Sequence, residues 1–206
     1  MKTRIAAWTV LVIGAQALIG CGGSNAPNNP LNPSPPPPPT ATPTPPPRSL
    51  PVDLTGKYAL TFEAAPSCEQ LPPEFRTRTY TASIGYAGPA HSGTSHYFYA
   101  ELSGARFHGE YSRLVINVAG NSVRFDLSDN IVAEKPAPDT YLMIAGSGGA
   151  AAVDPSDLST ISTSFDGFFE YCVTTSSFKP GSHCPVDVIA RAACTSKDSR
   201  WTLTRR

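Results

Sequence analysis

The chain has 206 residues, enough for one domain of ordinary size or two small ones, and its formal net charge is +0. This balance excludes the basic surface typical of nucleic-acid-binding proteins, so we expect no nucleic-acid partner. Proline is unevenly distributed, because 13 of the 22 prolines lie between Pro27 and Pro51. The composition therefore predicts a proline-rich segment followed, from Val52 onward, by a region that can bury a core.

Residues 1–20 have the pattern of a signal peptide. Lys2 and Arg4 give a positive start, and Ile5–Ile19 is a mostly apolar run of 15 residues, shorter than the roughly 20 needed to span a bilayer as a helix. The run leads into Leu18-Ile19-Gly20-Cys21, which resembles the lipobox of bacterial lipoproteins. That resemblance implies cleavage before Cys21, a diacylglycerol on its sulfur, and attachment to a membrane through this lipid.

Gly22 follows the cysteine at the position where, in this family, aspartate marks retention in the inner membrane. The resemblance therefore implies the outer membrane of a bacterial cell envelope, with its inner or outer face left open. The alternatives are an ordinary secretory peptide with a chance cysteine, or an uncleaved anchor.

Residues 21–51 are predicted to be a lipidated cysteine followed by a disordered stalk. The segment contains PSPPPPPTATPTPPP, and proline lacks the N–H that helices and sheet ladders need. In a polyproline II conformation, the residues from Pro27 to Pro51 would reach about 75 Å. The alternative, that its PxxP matches are docking motifs, is the weaker interpretation because no basic residue flanks them before Arg48.

From Val52 onward, apolar and polar residues alternate as in strands that bury one face. In GKYALTFEA one face carries Tyr58, Leu60 and Phe62, and in RTYTASIGY one face carries Tyr80, Ala82, Ile84 and Tyr86. SRLVINVAG and NSVRFDLSDN alternate in the same way, with a tight turn predicted at Gly120-Asn121 or Asn121-Ser122. Further strands are predicted at Ser95–Leu102, Thr140–Ala145, Leu158–Tyr171, Val186–Ala193 and Arg200–Thr204. The stretch GSGGAAAVDPSD is interpreted as a flexible loop or an irregular edge strand.

Residues 52–206 are therefore expected to form an all-β domain of eight to ten strands. Short connections favour an antiparallel up-and-down barrel, which removes exposed strand edges; the alternative is a two-sheet β-sandwich. DLTGKYALTF resembles the opening strand of the lipocalin and avidin group, with Tyr58 in place of the tryptophan of the G-x-W motif. SRWTLTRR would then be the closing strand, with Trp201 and Leu203 inward and Arg205 near the end of the barrel.

The cysteine count suits an exported domain. With Cys21 assigned to lipid, four cysteines remain, and an even number predicts two disulfides in one of three connectivities. If the first and last strands pair to close the barrel, Cys68 approaches Cys194, which leaves Cys172 to pair with Cys184. No CxxC spacing is present, so no metal site is predicted.

The predicted function is that of a cell-envelope lipoprotein whose β-domain is a non-catalytic binding or interaction module. Its partner would be a small apolar ligand, a sugar or an envelope protein, and the candidate ligand-binding residues are Tyr58, Tyr97, Tyr99 and Trp201. Because the inward residues are bulky, a structural envelope domain with a filled core and no pocket is the alternative.

A hydrolytic enzyme using His91, His96 and nearby carboxylates is the third hypothesis. No nucleophile elbow, HExxH, P-loop or GxGxxG motif is present in the sequence. We therefore predict no catalytic residue and no cofactor.

Overall fold

The structure is a computed structural model that describes residues 52–91, 93–127, 131–147, 149–176, 184 and 188–206. All of these residues belong to one compact unit, Pro47–Arg206. The predictions for the signal peptide, for Cys21 and for the stalk lie outside the described residues.

The described residues are almost entirely β-structure, as predicted, and form one antiparallel sheet curled into a half-barrel. A short helix, α1 (Pro73–Arg76), precedes the second strand. No helix in the described part of the chain is long and apolar enough to cross a membrane. The strands are β1 (Gly56–Glu63), β2 (Thr77–Pro89), β3 (Ser95–Ser103), β4 (Arg113–Ala119), β5 (Ser122–Asp126), β6 (Val132–Ala137), β7 (Thr140–Ser147), β8 (Ala150–Ala152), β9 (Thr160–Val173) and β10 (Ala190–Arg205).

The first and last strands pair in the middle of the sheet, as the closing-strand prediction requires. The strand order is β6-β7-β9-β10-β1-β2-β3-β4-β5-β8, and the antiparallel register places Leu60 opposite Leu203. The edges of the sheet are therefore β6 and β8, from the middle of the sequence, rather than the two terminal strands.

The edge strand β6 is covered by the loop between β3 and β4. Phe107 forms a β-bridge with Glu134, the His108 amide donates to the carbonyl oxygen of Ala133 at 2.9 Å, and the Lys135 amide donates to that of Arg106 at 2.8 Å. Hydrogen bonds of this kind protect an edge from pairing with another chain. Strand β6 was not predicted. It contains Pro136, which lies at a register shift between Glu134 and Ala137, where no regular ladder bond is needed.

The inner face of the half-barrel carries the main core. The alternation predicted for β1 holds, since Tyr58, Leu60 and Phe62 are fully buried there. Strands β4 and β5 contribute their alternating apolar residues, and the turn between them is Gly120-Asn121, with Gly120 at φ +56°. A positive φ at the first loop position suits a type II′ hairpin, whose twist matches that of the paired strands.

Two strand predictions were wrong in detail. Val186–Ala193 and Arg200–Thr204 were expected as separate strands, but the second half of the first range and all of the second lie in the single 16-residue strand β10. The interruption between them is a register shift between Ser196 and Ser199 on a strand that continues. Residues 185–187 lie outside the described residues.

Both predicted disulfides are present. Cys68 is bonded to Cys194 with Cα atoms 5.5 Å apart, and Cys172 to Cys184 with Cα atoms 6.2 Å apart. The first bond joins Cys68, in the segment after β1, to Cys194 in β10. This is the connection that was expected if the first and last strands pair. The second fixes Cys184 against β9, where it contributes to a smaller core cluster with Tyr141 and Met143.

Candidate functional site

The four predicted ligand-binding residues separate into two environments. Tyr58 and Trp201 are fully buried, whereas Tyr97 and Tyr99 are 37% and 43% exposed. A ligand can therefore reach Tyr97 and Tyr99 directly, but it would have to displace core side chains to reach the other two.

Trp201 is part of the packed interior. Its ring lies edge-on to Phe125 with centroids 4.8 Å apart, and its Nε1 donates to the carbonyl oxygen of Gly149 at 3.3 Å. A buried indole needs such a partner for its N–H. The residue thus has a sufficient structural role in joining β10 to the segment before β8.

Tyr58 lies near the start of β1, beside the end of β10. The guanidinium of Arg205 is 5.8 Å from its ring centroid, an arrangement that favours a cation–π interaction. The Tyr58 hydroxyl is buried without a hydrogen-bond partner among the described residues. Burial raises the pKa of this phenol, and Arg205 partly opposes that effect.

Tyr97 and Tyr99 project from the outward face of β3, since the residues between and after them, Phe98 and Ala100, are fully buried. Each exposed tyrosine is paired with a glycine of β2: Gly85 lies opposite Tyr99, and Gly88 lies opposite Tyr97. A glycine leaves the sheet surface beside each ring uncovered. The outward face of β2, β3 and β4 therefore has aromatic rings bordering open backbone.

A groove of about 360 Å³ lies beside Tyr99 on this face. Its lining residues are Ser83, Ile84, Gly85, Tyr86, Tyr99 and Glu101. A second hollow of about 400 Å³ is lined by Glu101, Gly109, Glu110, Ser112 and Arg113. Because both hollows include Glu101, they form neighbouring parts of one surface.

An ion pair fixes the side of Tyr99 that faces β4. Arg113 lies opposite Glu101 in the register, its Nε donates to Glu101 Oε1, and its guanidinium carbon is 5.2 Å from the centroid of the Tyr99 ring. The two charges compensate each other. The groove is thus bordered by charged hydrogen-bonding groups of both signs.

Tyr86 was predicted on the buried face of β2 and is instead 45% exposed. It contacts the edge of Phe98, at 5.4 Å between centroids, and its hydroxyl is 3.1 Å from His96 Nδ1. Tyr86 is still paired with the buried Phe98, and the register of β2 with β3 shifts only after it, so it occupies the last regular position before the bulge and is only partly covered by the core. Period-two alternation indicates the face of a side chain but not how far along the strand the core extends.

His91 and His96, the residues of the enzyme hypothesis, lie on either side of the turn between β2 and β3. His91 is exposed, and His96 is half-buried with Tyr86 as its hydrogen-bond partner. The described residues contain no group of three histidine, cysteine, aspartate or glutamate side chains that could hold a metal ion.

Two buried glutamates were not anticipated from the sequence. The side chain of Glu134 on β6 is 3% exposed; it accepts hydrogen bonds from Arg78 Nε at 2.9 Å and from the Tyr80 hydroxyl at 2.9 Å. Burial raises the pKa of Tyr80 above its ordinary value, and the Glu134 carboxylate raises it further. This cluster joins β2 to β6, although four strands separate them in the sheet order.

Glu170 on β9 is fully buried on the opposite face of the sheet. Arg191 Nε donates to its Oε1 at 2.7 Å, and the Cys184 amide donates to its Oε2 at 3.2 Å. Both glutamates have cationic partners, as burial of a carboxylate requires. They fasten β6 and Cys184 to the sheet, so we assign them a structural role.

Comparison with known proteins found no match: neither a protein-family model, nor a curated protein, nor a solved structure is significantly similar to the chain.

Proposed function

We propose that the protein is a bacterial cell-envelope lipoprotein whose β-domain is a non-catalytic binding module. The binding surface is the outward face of β2, β3 and β4 around Tyr97 and Tyr99. One observation carries the proposal: these two tyrosines stand exposed side by side on the same strand face, beside glycines that leave the sheet open.

The contrast with the interior supports this choice of surface. The inward candidates Tyr58 and Trp201 are fully enclosed by core side chains, so the barrel interior has little to offer a ligand. Exposed tyrosines combine a large apolar ring with a hydroxyl, and they are enriched at surfaces that bind ligands or proteins. Clustering on one strand distinguishes them from apolar residues scattered singly.

The proposed location depends on the sequence alone. A thioether-linked diacylglycerol on Cys21 would supply two acyl chains, enough for durable attachment to an outer membrane, since a single chain binds only marginally. The proline-rich segment 22–51 would then hold the domain away from the lipid surface. The two disulfides agree with an oxidising compartment outside the cytosol.

A structural envelope domain is the second candidate, favoured by the filled interior. It differs from a binding module in one respect that can be measured. A structural domain does not depend on the exposed tyrosines for its association with other envelope components.

Co-sedimentation with isolated outer-membrane and cell-wall fragments tests the binding surface. The Cys21→Ser chain, which removes any lipid anchor, is expected to sediment with the fragments, and the same chain with Tyr97→Ala and Tyr99→Ala is expected to stay in solution. Ile189→Ala is the matched control, because Ile189 is 72% exposed but lies just before β10. Equal sedimentation of all three proteins, or of none, would refute the proposed surface.

Fractionation tests the anchor independently. The unmodified chain should be found in the membrane fraction, and mass spectrometry of its amino-terminal peptide should find diacylglycerol on Cys21. The chain with Cys21→Ser, Tyr97→Ala and Tyr99→Ala, which lacks both the anchor and the proposed surface, should be soluble. Membrane association that survives all three substitutions, or an amino-terminal peptide without diacylglycerol, would remove the lipid anchor from the proposal.

A further inference from the structure

We infer that the groove over Gly85 is a saccharide subsite, in which Tyr99 provides the stacking surface for one sugar ring. This inference rests on the proposed function, and it specifies the ligand class and position within the tyrosine face.

Gly85 keeps the groove open without a structural need for glycine. Its φ does not lie in the left-handed region that excludes other residues, and a Cβ added to it would meet no atom within 4 Å. A glycine inside a strand normally costs stability, by roughly 0.5–1 kcal/mol relative to alanine. Neither backbone conformation nor packing accounts for this glycine, whereas access to the strand surface does.

Gly88 shows the contrast on the same strand. It also has open space around a hypothetical Cβ, but its φ is +139° at the register shift. Here the backbone itself requires glycine. The backbone conformation therefore requires glycine at position 88 but not at position 85. We expect replacement of Gly85 to leave the fold intact.

Tyr99 is held in place next to this groove before any ligand arrives. Strand β3 lies between β2 and β4, so the Arg113 guanidinium holds the ring from the β4 side while Gly85 leaves the β2 side open. A ring already fixed by its neighbours loses little conformational entropy on binding. Tyr97 lacks such a cation–π contact among those found in the structure.

The chemistry of the groove matches the two kinds of surface on a sugar ring. The C–H face of a pyranose is weakly polarised and apolar and can pack on the negative face of an aromatic ring. Its hydroxyl groups need donors and acceptors at the edge, where the Ser83 hydroxyl and the Glu101 carboxylate lie opposite each other in the register. Bound hydroxyls would thus replace water at groups that already lie beside the stacking ring.

Other ligand classes fit this groove less well. Strands β2 and β3 are paired on both sides, so a peptide has no free strand edge to extend. The Glu101–Arg113 pair leaves no uncompensated cation for a phosphate. The volume of about 360 Å³ is at the small end of ligand pockets, and the adjoining hollow beyond Glu101 gives a second ring of the same chain a place to continue.

The test is binding of the purified Cys21→Ser chain to an immobilised array of neutral, acidic and amino-sugar glycans, with unmodified peptides on the same array. We expect binding to glycans. Soluble oligosaccharides of the strongest class, titrated by calorimetry, then compare three variants with the parent chain.

Gly85→Thr should weaken binding at least about tenfold by filling the groove, while thermal unfolding shows the domain as stable as the parent or more so. Tyr99→Ala should weaken it by a similar factor, and Ile189→Ala, the exposed control outside the proposed surface, should weaken it by less than about threefold. Each tenfold loss corresponds to about 1.4 kcal/mol of binding free energy.

The possible results distinguish a failure of the saccharide assignment from a failure of the proposed binding module. Binding to peptides rather than glycans, or to no glycan, overturns the saccharide assignment, but co-sedimentation that depends on the tyrosines still supports the binding module. Full affinity in Gly85→Thr overturns the groove as the site. Equal losses in Ile189→Ala and Tyr99→Ala also overturn it, because the loss would then not be specific to the ring beside the groove.

Discussion

Neutralising Glu134 should destabilise the domain far more than neutralising the exposed Glu101. In Glu134→Gln the volume is nearly unchanged, but the Arg78 guanidinium loses its carboxylate partner inside the half-barrel. Removing one member of a buried ion pair costs roughly 3–5 kcal/mol. The Arg78 side chain is 27% exposed and retains some hydration, so we expect the low end, about 3 kcal/mol.

The control, Glu101→Gln, removes the same charge from a pair whose side chains are 58% and 48% exposed. Solvent screens such pairs, so the expected loss is below about 1 kcal/mol. Urea unfolding followed by circular dichroism gives both free energies. In thermal unfolding, the melting temperature of a domain of this size should fall by about 6–12 °C in Glu134→Gln.

The comparison also tests the way in which the half-barrel is closed. The Arg78–Glu134 contact joins two strands, β2 and β6, that have four other strands between them in the sheet. Losses that agree within about 0.5 kcal/mol at the two positions would show that this contact does not hold β6 against β2. The placement of β6 over the interior would then be wrong.

Three further predictions concern the covalent links, the glycines and pH. Replacing both cysteines of the Cys68–Cys194 bond by alanine should lower the free energy of unfolding by about 2 kcal/mol more than the same change at Cys172–Cys184, as measured by urea unfolding. The first pair is 126 residues apart and the second 12, and the entropy of loop closure grows with the logarithm of loop length. Equal losses would contradict this prediction. Gly149→Ala should destabilise the domain more than Gly120→Ala, although φ is positive at both positions. A Cβ at Gly149 would lie 2.5 Å from a backbone oxygen, whereas a Cβ at Gly120 would meet no atom within 4 Å. Calorimetry should therefore show the lower melting temperature for Gly149→Ala. Burial raises the pKa of Tyr80 in the folded state above the ordinary value of 10.0. The stability that the protonated Tyr80 hydroxyl contributes is therefore complete below about pH 10 and is lost as the pH rises toward the pKa of the folded state. The unfolding free energy should therefore fall by up to about 1.4 kcal/mol per pH unit there, and a slope unchanged in Tyr80→Phe would contradict the assignment.

The alternation of apolar and polar residues was sufficient to predict the strands in which it continues without interruption. In β1 every second residue is apolar, and the strand, its buried face and its pairing with β10 were all predictable. The disulfides followed from that pairing, because Cys68 and Cys194 lie just beyond its end. These features depend on residues close in sequence or on one pairing that closes the chain.

The missed features depend on partners that no local pattern contains. Strand β6 reads VAEKPA, in which a glutamate and a proline argue against a buried strand, and only Arg78 and Tyr80 from β2 make the burial of Glu134 tolerable. The ligand candidates divide by face. Alternation placed Tyr58 and Trp201 on the inward apolar faces of their strands, but for Tyr97 and Tyr99 it showed only that they share a face, because which face is outward depends on the curl of the whole sheet.

Strand β2 connects stability to the candidate function without making one depend on the other. Its first half projects Arg78 and Tyr80 inward to Glu134, and its second half exposes Gly85 to the outside beside Tyr99. At about 3.3 Å per residue, the seven steps between Arg78 and Gly85 separate the two regions by about 23 Å. The ion pair can therefore hold the sheet closed while the groove varies independently, and a single residue without a side chain is enough to create a recess on an otherwise regular surface.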